Sequence, residues 1–179
     1  MKRRCGRLAG RLLLLVAAAL GLGGCGFHPL YGSAADGSAG PAQAGLAQVA
    51  VGLIPERAGQ LLREALQARF ERGGPGIAAR YDLAVGYGIS GEPLAIEQDS
   101  SVSRVRLVGS ATWYLTAQDP QRRTLTSGTV RAFDAYNIIN SQLFAADLDN
   151  EVVLRRLANA IADQLALQLA SWFEKQAGL

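Results

Sequence analysis

The sequence predicts an α+β fold in which two helices pack on one face of a roughly four-stranded mixed sheet. Two segments, residues 81–89 and 104–115, alternate apolar and polar side chains with a period of two, which is typical of half-buried strands. Two others, residues 55–70 and 150–172, repeat apolar side chains at helical spacing. A two-layer sandwich with both helices on the same side of the sheet buries all of these apolar faces at once.

The first strand and the first helix follow one another closely. Residues 47–53 are short and apolar, as expected of a strand. We expect Pro55 at the first helical position, where its missing N–H costs nothing, and Glu56 near the positive end of the helix. The apolar face of this helix recurs every four residues, at Leu62, Leu66 and Phe70. The helix is expected to end before Gly73.

The two alternating segments lead into a third strand, residues 124–133. The second face of the 81–89 strand is made of small residues, which indicates that something packs or binds close to its backbone. We expect a turn at residues 91–93, a polar loop over residues 91–103, and a bulge or bend at Ser127 and Gly128. The tight connection at residues 119–121 requires the strands on either side to pair antiparallel.

The last helix is the longest predicted element. Residues 147–150 offer several N-cap side chains and negative charge for its start. Its predicted apolar stripe, which only Gln168 interrupts, consists of Leu154, Leu157, Ile161, Leu165, Gln168 and Trp172.

The positive charge of the chain is concentrated at its start. Five basic residues, Lys2, Arg3, Arg4, Arg7 and Arg11, precede residues 12–20, which are only Leu, Val and Ala. This pattern predicts an export signal over residues 1–24 that is removed from the mature protein. Removing these five from the 18 basic residues leaves 13 against 15 acidic ones, a charge near −2. Nucleic acid is therefore not an expected partner.

The end of the signal indicates a lipid anchor. Leu22, Gly23 and Gly24 precede Cys25 in an order that resembles the bacterial lipobox, which implies acylation of Cys25. Several acyl chains would anchor the protein stably, although a secreted protein with a free cysteine is an alternative. Residues 25–45 then form the lipidated N-terminus and a flexible tether rich in small residues, and residues 46–179 form the folded domain.

The residues that metal sites and catalytic centres require are scarce. The single histidine, His28, lies beside Cys25 and before the predicted tether, which argues against a catalytic triad and a zinc site. We expect no metal, no cofactor and no enzymatic activity. A carboxylate pair such as Glu92 with Asp99 stays open as a weak alternative, that of a small periplasmic hydrolase.

Two strings of residues carry a resemblance to a known family. Residues 25–32, Cys-Gly-Phe-His-Pro-Leu-Tyr-Gly, resemble the mature N-terminus of alphaproteobacterial members of the LptE family of lipopolysaccharide (LPS)-assembly lipoproteins. Residues 136–145 are similar to the segment before that family's last helix, and the predicted element order matches the family's fold of two helices and four strands.

This resemblance implies a binding protein of the LPS export machinery. It would be anchored by lipid to the outer membrane on the periplasmic side, plug the lumen of the barrel-forming partner LptD, assist the assembly of that barrel and contact LPS in transit. Gly26 after the lipidated cysteine favours the outer membrane by the same resemblance. An auxiliary lipoprotein of a lipid-transporting ABC system is the nearest alternative.

Basic side chains on an accessible strand face are the first candidates for binding the phosphates of LPS. Arg104 and Arg106 are two residues apart and share one face of their strand, and Arg131 on the next strand joins them if the bulge permits. Two alternatives stay open. The binding residues could instead be Arg122 and Arg123 at the strand tip, or the arginines could be solvated or paired with Asp82 and Glu97.

A polar loop is the second candidate contact, because the lumen of such a barrel is polar. The residues expected to meet the barrel are Glu97, Gln98, Asp99, Ser100 and Ser101. The later motif, Tyr136, Asn137, Ser141 and Phe144, is expected to cap and pack the start of the last helix and not to touch ligand.

Overall fold

The computed structural model describes residues 39–71, 77–96, 102–137 and 143–178. Over these ranges the elements are α1 (Pro41–Leu46), β1 (Val49–Val51), α2 (Glu56–Phe70), β2 (Tyr81–Ile96), β3 (Val102–Ala117), β4 (Thr124–Asn137) and α3 (Leu143–Gln176). The sheet order is β1-β2-β3-β4, with β1 parallel to β2 and the other pairs antiparallel. The predicted α+β fold with a mixed four-stranded sheet is confirmed.

The hydrophobic core lies between the sheet and the helices. Odd-numbered residues of β2 and β3, such as Leu83, Leu115 and Trp113, are buried, whereas their even-numbered neighbours on the other face are mostly exposed. The helices complete the core with Leu62 and Leu66 of α2 and with Leu165 and its neighbours on α3. The second face of the sheet, which we call the open face, is covered by no helix among the described residues.

The folded part of the chain includes residues assigned above to the tether. Residues 41–46 form α1, and Ala42, Gly45 and Leu46 are buried in it. A side chain on Gly45 would stand 2.4 Å from the ring of Phe173 in α3, so α1 lies directly against the end of that helix. The tether interpretation therefore does not hold for residues 41–45, because small apolar residues can pack closely where a facing helix covers them.

The start of α2 also differs from the expectation. Pro55 is the N-cap residue and not the first helical residue, and the chain enters the helix through a left-handed backbone conformation at Glu56, whose φ is 67°. This entry buries Ile54 and leaves Leu53 exposed. A Cβ atom on Gly59 would stand 2.7 Å from Cγ2 of Ile54, which shows how closely the first turn covers that side chain.

Strand β2 is longer than the sequence predicts. The expected turn at residues 91–93 is part of the strand, with Glu92 opposite Arg106 and Pro93 opposite Val105, and the irregularity follows between Pro93 and Ala95. The expected loop over residues 91–103 is correspondingly wrong at both ends. Proline is compatible with a strand whose N–H side faces away from its neighbour.

The bulge predicted at Ser127 and Gly128 lies elsewhere. The register shift between β3 and β4 falls between Leu115 and Thr116, and Gly128 pairs regularly with Trp113. The glycine is required by packing, because a Cβ atom there would stand 2.7 Å from Cζ2 of the Trp113 ring.

Helix α3 begins at Leu143, before the predicted capping residues 147–150. Within the predicted stripe, Leu157, Ile161 and Leu165 are buried, but a second buried row recurs every four residues: Ala158, Ala162, Ala166 and Ala170. The two rows exist because α3 packs against α2 and α1 as well as the sheet. Among the described residues, no helix combines the length and apolar character needed to cross a membrane.

Candidate functional site

Three arginines predicted as ligand-binding residues lie on the open face. Arg104 and Arg106 project from β3, and on β4 Arg131 lies opposite Ser110, which has the same parity as Arg106. The register shift between β3 and β4 does not disturb this arrangement, because it lies at Leu115 and Thr116, near the far end of β3. The pairing of the strands thus brings three positive charges to one surface.

Two apolar side chains lie among these arginines. Phe133 is 78% exposed and lies opposite Val108, two residues along β4 from Ala135, which pairs with Arg106. Leu94 on β2 is 43% exposed. A groove of about 320 Å³ is lined by Leu94, Arg104, Arg106, Phe133, Asp134 and Ala135. We call Leu94, Arg104, Arg106, Arg131 and Phe133 the basic–aromatic patch. An exposed phenylalanine among cations is a feature of binding surfaces.

Phe133 and Leu94 are not among the site residues that the sequence predicts. Phe133 ends the predicted strand, but its parity with Arg131 and the opposite parity of Val130 and Ala132 indicate an outward position. Leu94 was assigned to a loop, and only the extension of β2 brings it to the patch.

The positive charge of the patch is largely uncompensated. Nη1 of Arg106 is 3.8 Å from Oε2 of Glu92, a long ion pair between exposed side chains that stabilises little. Arg104 and Arg131 form no ion pair with any residue that the structure describes. Asp134 also lines the groove, but its carboxylate pairs with Arg156 at 2.8 Å.

The arginines at the strand tip form ion pairs with carboxylates of the same chain. Arg122 pairs with Asp82, which also accepts a hydrogen bond from Nε2 of Gln118 at 2.7 Å. Arg123 pairs with Asp119 at 3.3 Å. Asp82 therefore partners Arg122 and not Arg104 or Arg106.

Several residues singled out in the sequence lie outside the described residues. They are Cys25, His28, the predicted barrel-contact residues Glu97, Gln98, Asp99, Ser100 and Ser101, and Ser141 of the later motif. From that motif, Tyr136 packs against the core from the end of β4, and Asn137 is exposed there.

The patch has the chemistry of a surface for anionic amphiphiles. Guanidinium groups form charge-assisted and bidentate hydrogen bonds with phosphate, while Phe133 and Leu94 offer apolar contact beside them. Among the described residues, no three His, Cys, Asp or Glu side chains are grouped as metal ligands would be. Away from the patch, on the helix side of β2, burial raises the pKa of the Tyr87 hydroxyl to about 12.

One family model matches most of the chain, and several solved structures share its fold. The family model for LptE, described as lipopolysaccharide-assembly, matches residues 46–169. No curated protein matches the chain. Among solved structures, a protein described as a lipoprotein from Caulobacter crescentus CB15 is 22% identical with a TM-score of 0.61, and the match covers 75% of this chain and 98% of that one.

Two further solved structures share the fold. Rare lipoprotein B from Shewanella oneidensis is 13% identical with a TM-score of 0.53, over 74% of this chain and 98% of that one. Lipoprotein B from Nitrosomonas europaea is 12% identical with a TM-score of 0.51, over 70% of this chain and 82% of that one.

Proposed function

Because this chain belongs to the LptE family of lipopolysaccharide-assembly proteins, we propose that it is an outer-membrane lipoprotein of the LPS export machinery. In this role it plugs the lumen of the barrel protein LptD, assists the assembly of that barrel, and contacts LPS on its way to the outer leaflet. It acts by binding and not by catalysis. The family match over residues 46–169 supports the general role, and the basic–aromatic patch supports the contact with LPS.

The basic–aromatic patch is the main observation that supports contact with LPS. LPS combines phosphates with acyl chains, and the patch combines three arginines with two exposed apolar side chains on a face that no described helix covers. The phosphates would bind Arg104, Arg106 and Arg131, and Phe133 would lie against an acyl chain or the apolar side of the headgroup. The arginines at the strand tip are instead paired with carboxylates, Arg122 with Asp82 and Arg123 with Asp119.

Anchoring at Cys25 would keep the domain at the membrane surface. Cleavage before Cys25 and acylation of its sulfur and amino group supply several acyl chains, which hold a protein at a membrane far longer than one chain does. The segment between Cys25 and α1 then connects the anchor to the folded domain.

The proposal is tested by reversing charge in the patch. Replacing Arg104 and Arg106 together by Glu should weaken LPS binding at least about tenfold, because phosphate then meets repulsion in place of two charge-assisted hydrogen bonds. The matched control is the double change of Arg122 and Arg123 to Glu at the strand tip, which alters the charge equally.

Binding of purified LPS to the mature domain would be measured by titration calorimetry, with circular dichroism confirming that each variant is folded. The control should bind within about twofold of the unmodified protein, since its arginines contact Asp82 and Asp119. Equal binding by the folded patch variant and the unmodified protein would remove the patch from the proposal. If only the tip variant binds LPS more weakly, the LPS contact lies at the strand tip and not at the patch.

A further inference from the structure

Among the described residues, the outer edge of β2 is paired only at its start. Strand β1 pairs with β2 only at Tyr81, Asp82 and Leu83. The last hydrogen bond of this pairing runs from the N–H of Gly52 to the carbonyl of Leu83 at 2.9 Å. From there β2 continues to Ile96. Along that stretch no strand among the described residues pairs with its outer side.

The main-chain groups that point outward can be assigned from this ladder. The N–H of Tyr81 donates to the carbonyl of Gln48 and the carbonyl of Leu83 accepts from Gly52, so odd-numbered residues of β2 direct both groups away from β3. The same parity holds up to the irregularity after Pro93. Val85, Tyr87, Ile89 and Gly91 therefore present N–H and C=O groups along a free edge.

Pro93 lies at the end of this free edge. It shares the outward parity, so its missing N–H removes no hydrogen bond from the β2–β3 ladder, and it ends the row of outward donors. A strand that adds to this edge would consequently find its donors and acceptors between Val85 and Gly91.

The side chains beside the edge define what can bind there. A groove of about 590 Å³ lies where β1 leaves the sheet, and its lining includes Leu53, which is 84% exposed. On the helix side, Tyr87 and Ile89 are only half-buried, which leaves apolar surface for a neighbour to cover. On the open face, a side chain on Gly88 would meet nothing within 4 Å, so the adjacent position is free for a large residue.

We propose that the outer edge of β2 between Val85 and Gly91 binds an extended segment of the barrel partner by β-strand addition. This inference rests on the proposed function. A free row of main-chain donors and acceptors is matched by an extended polypeptide and by few other ligands. The strands of a closed barrel wall have no unpaired edge, so the added segment belongs to a loop or another extended part of that partner.

The test removes one outward donor and keeps the rest of the strand. Ile89→Pro eliminates an N–H that points away from β3, whereas Ile89→Ala loses the same side chain but keeps the donor. Gly91→Pro is a second test, because its N–H has the same direction. Each full-length variant would be co-expressed with the barrel partner, and circular dichroism and thermal unfolding would confirm that the isolated chains are folded.

Two readouts follow from the same complexes. The amount of barrel that co-purifies should fall about tenfold in the proline variants, which lose a hydrogen bond and gain a clash with the added strand, and should stay within about twofold in Ile89→Ala. A photoreactive benzoylphenylalanine in place of Ser90 should crosslink to the barrel partner, because side chains of neighbouring strands approach within about 5 Å.

The outcomes separate this inference from the proposed function. If the unmodified chain captures the barrel and the folded proline variants capture as much as Ile89→Ala, the edge inference is wrong while the proposed function stands. A crosslink from Ser90 to a second copy of this chain also overturns the inference. If the unmodified chain captures no barrel, the proposed function itself fails.

Discussion

At the scale of single residues, the contact of Trp113 with Gly128 and Gln168 joins the sheet to α3. The indole N–H donates to Oε1 of Gln168 at 3.1 Å. Gln168, which interrupts the predicted apolar stripe, therefore supplies the hydrogen-bond acceptor for a tryptophan that is only 2% exposed. A Cβ atom on Gly128 would stand 2.7 Å from the indole ring and 2.9 Å from that same Oε1 atom. The glycine therefore makes room for both partners of the hydrogen bond.

We predict that Gly128→Ala lowers the free energy of unfolding by about 1–3 kcal/mol, because the added methyl group overpacks the indole ring. Gly88→Ala is the matched control in the same sheet, where the methyl group meets nothing within 4 Å. Its free energy of unfolding should be unchanged or higher by up to about 1 kcal/mol. Urea unfolding followed by tryptophan fluorescence measures both, and equal stability of the two variants would contradict the packing argument.

The candidate site could be predicted from the sequence only where one strand determined it. Arg104 and Arg106 are two residues apart, so their common face follows from strand geometry alone. The position of Arg131 on the same face depends on the register between β3 and β4, and that of Leu94 depends on β2 continuing through a proline. The register of two strands depends on pairing between residues that are distant in the sequence, and the pattern within one strand does not specify it.

At the scale of elements, Arg69 connects α2 with α3. Its Nε donates to Oδ1 of Asp163 at 2.7 Å, Nη2 donates to the carbonyl of Asn159 at 3.1 Å, and Nη1 donates to the carbonyl of Ala65 at 2.7 Å. The side chain of Arg69 is only 15% exposed. Arg57 also bridges the two helices, to Glu151 at 2.8 Å, but its side chain is 63% exposed.

The two bridges should differ in what they contribute. We expect Arg69→Ala to lower the free energy of unfolding by about 1.5–3 kcal/mol, because the change removes several charged hydrogen bonds together with the packing of a side chain that is only 15% exposed. Arg57→Ala should cost less than about 1 kcal/mol, as exposed ion pairs do. Urea unfolding of both variants checks this, and a loss at Arg57 as large as that at Arg69 would show that burial does not govern these contacts.

The elements themselves follow from periodicity, but their ends do not. The pattern of α2, β3 and the centre of α3 predicts their type correctly, because the large apolar residues of each recur with the period of a helix or a strand. Helix α3 also packs against α1 and α2, so its second buried row is made of alanines, which a search for large apolar residues does not detect. The bulge was misplaced because Gly128 serves packing and not a bend.

At the scale of the whole molecule, the distribution of charge separates the two ends of the open face. Around Asp82, Arg122 and Asp119 the opposite charges are paired, whereas Arg104 and Arg131 at the other end have no ionic partner among the described residues. The helix layer uses its arginines in bridges to Glu151, Asp163 and Asp134. The described part of the chain therefore presents a cationic surface on the open face, apart from the ion pairs at the strand tip and in the helix layer.

Helix α1 packs directly against the end of α3. The first turn of α1 is fixed to α3, because Oε1 of Glu174 accepts a hydrogen bond from the N–H of Ala42 at 3.2 Å. Leu46 is 2% exposed, and Gly45 lies against Phe173, which forms an aromatic cluster with Tyr81 and Trp172. These contacts join the start of the domain to its last helix.

We therefore predict that a shortened chain beginning at Gly40 unfolds at the same urea concentration as the mature protein, whereas one beginning at Ala47 is less stable by about 2–5 kcal/mol. The second chain loses the buried side chains of Ala42 and Leu46 and exposes Phe173, a loss comparable to large truncations in a core. Gly45→Leu in the longer chain is a further check, because its side chain would collide with the Phe173 ring and displace α1 without removing any residue. Equal stability of the chains beginning at Gly40 and at Ala47 would support the tether interpretation of residues 41–45 and contradict the packing of α1 on α3.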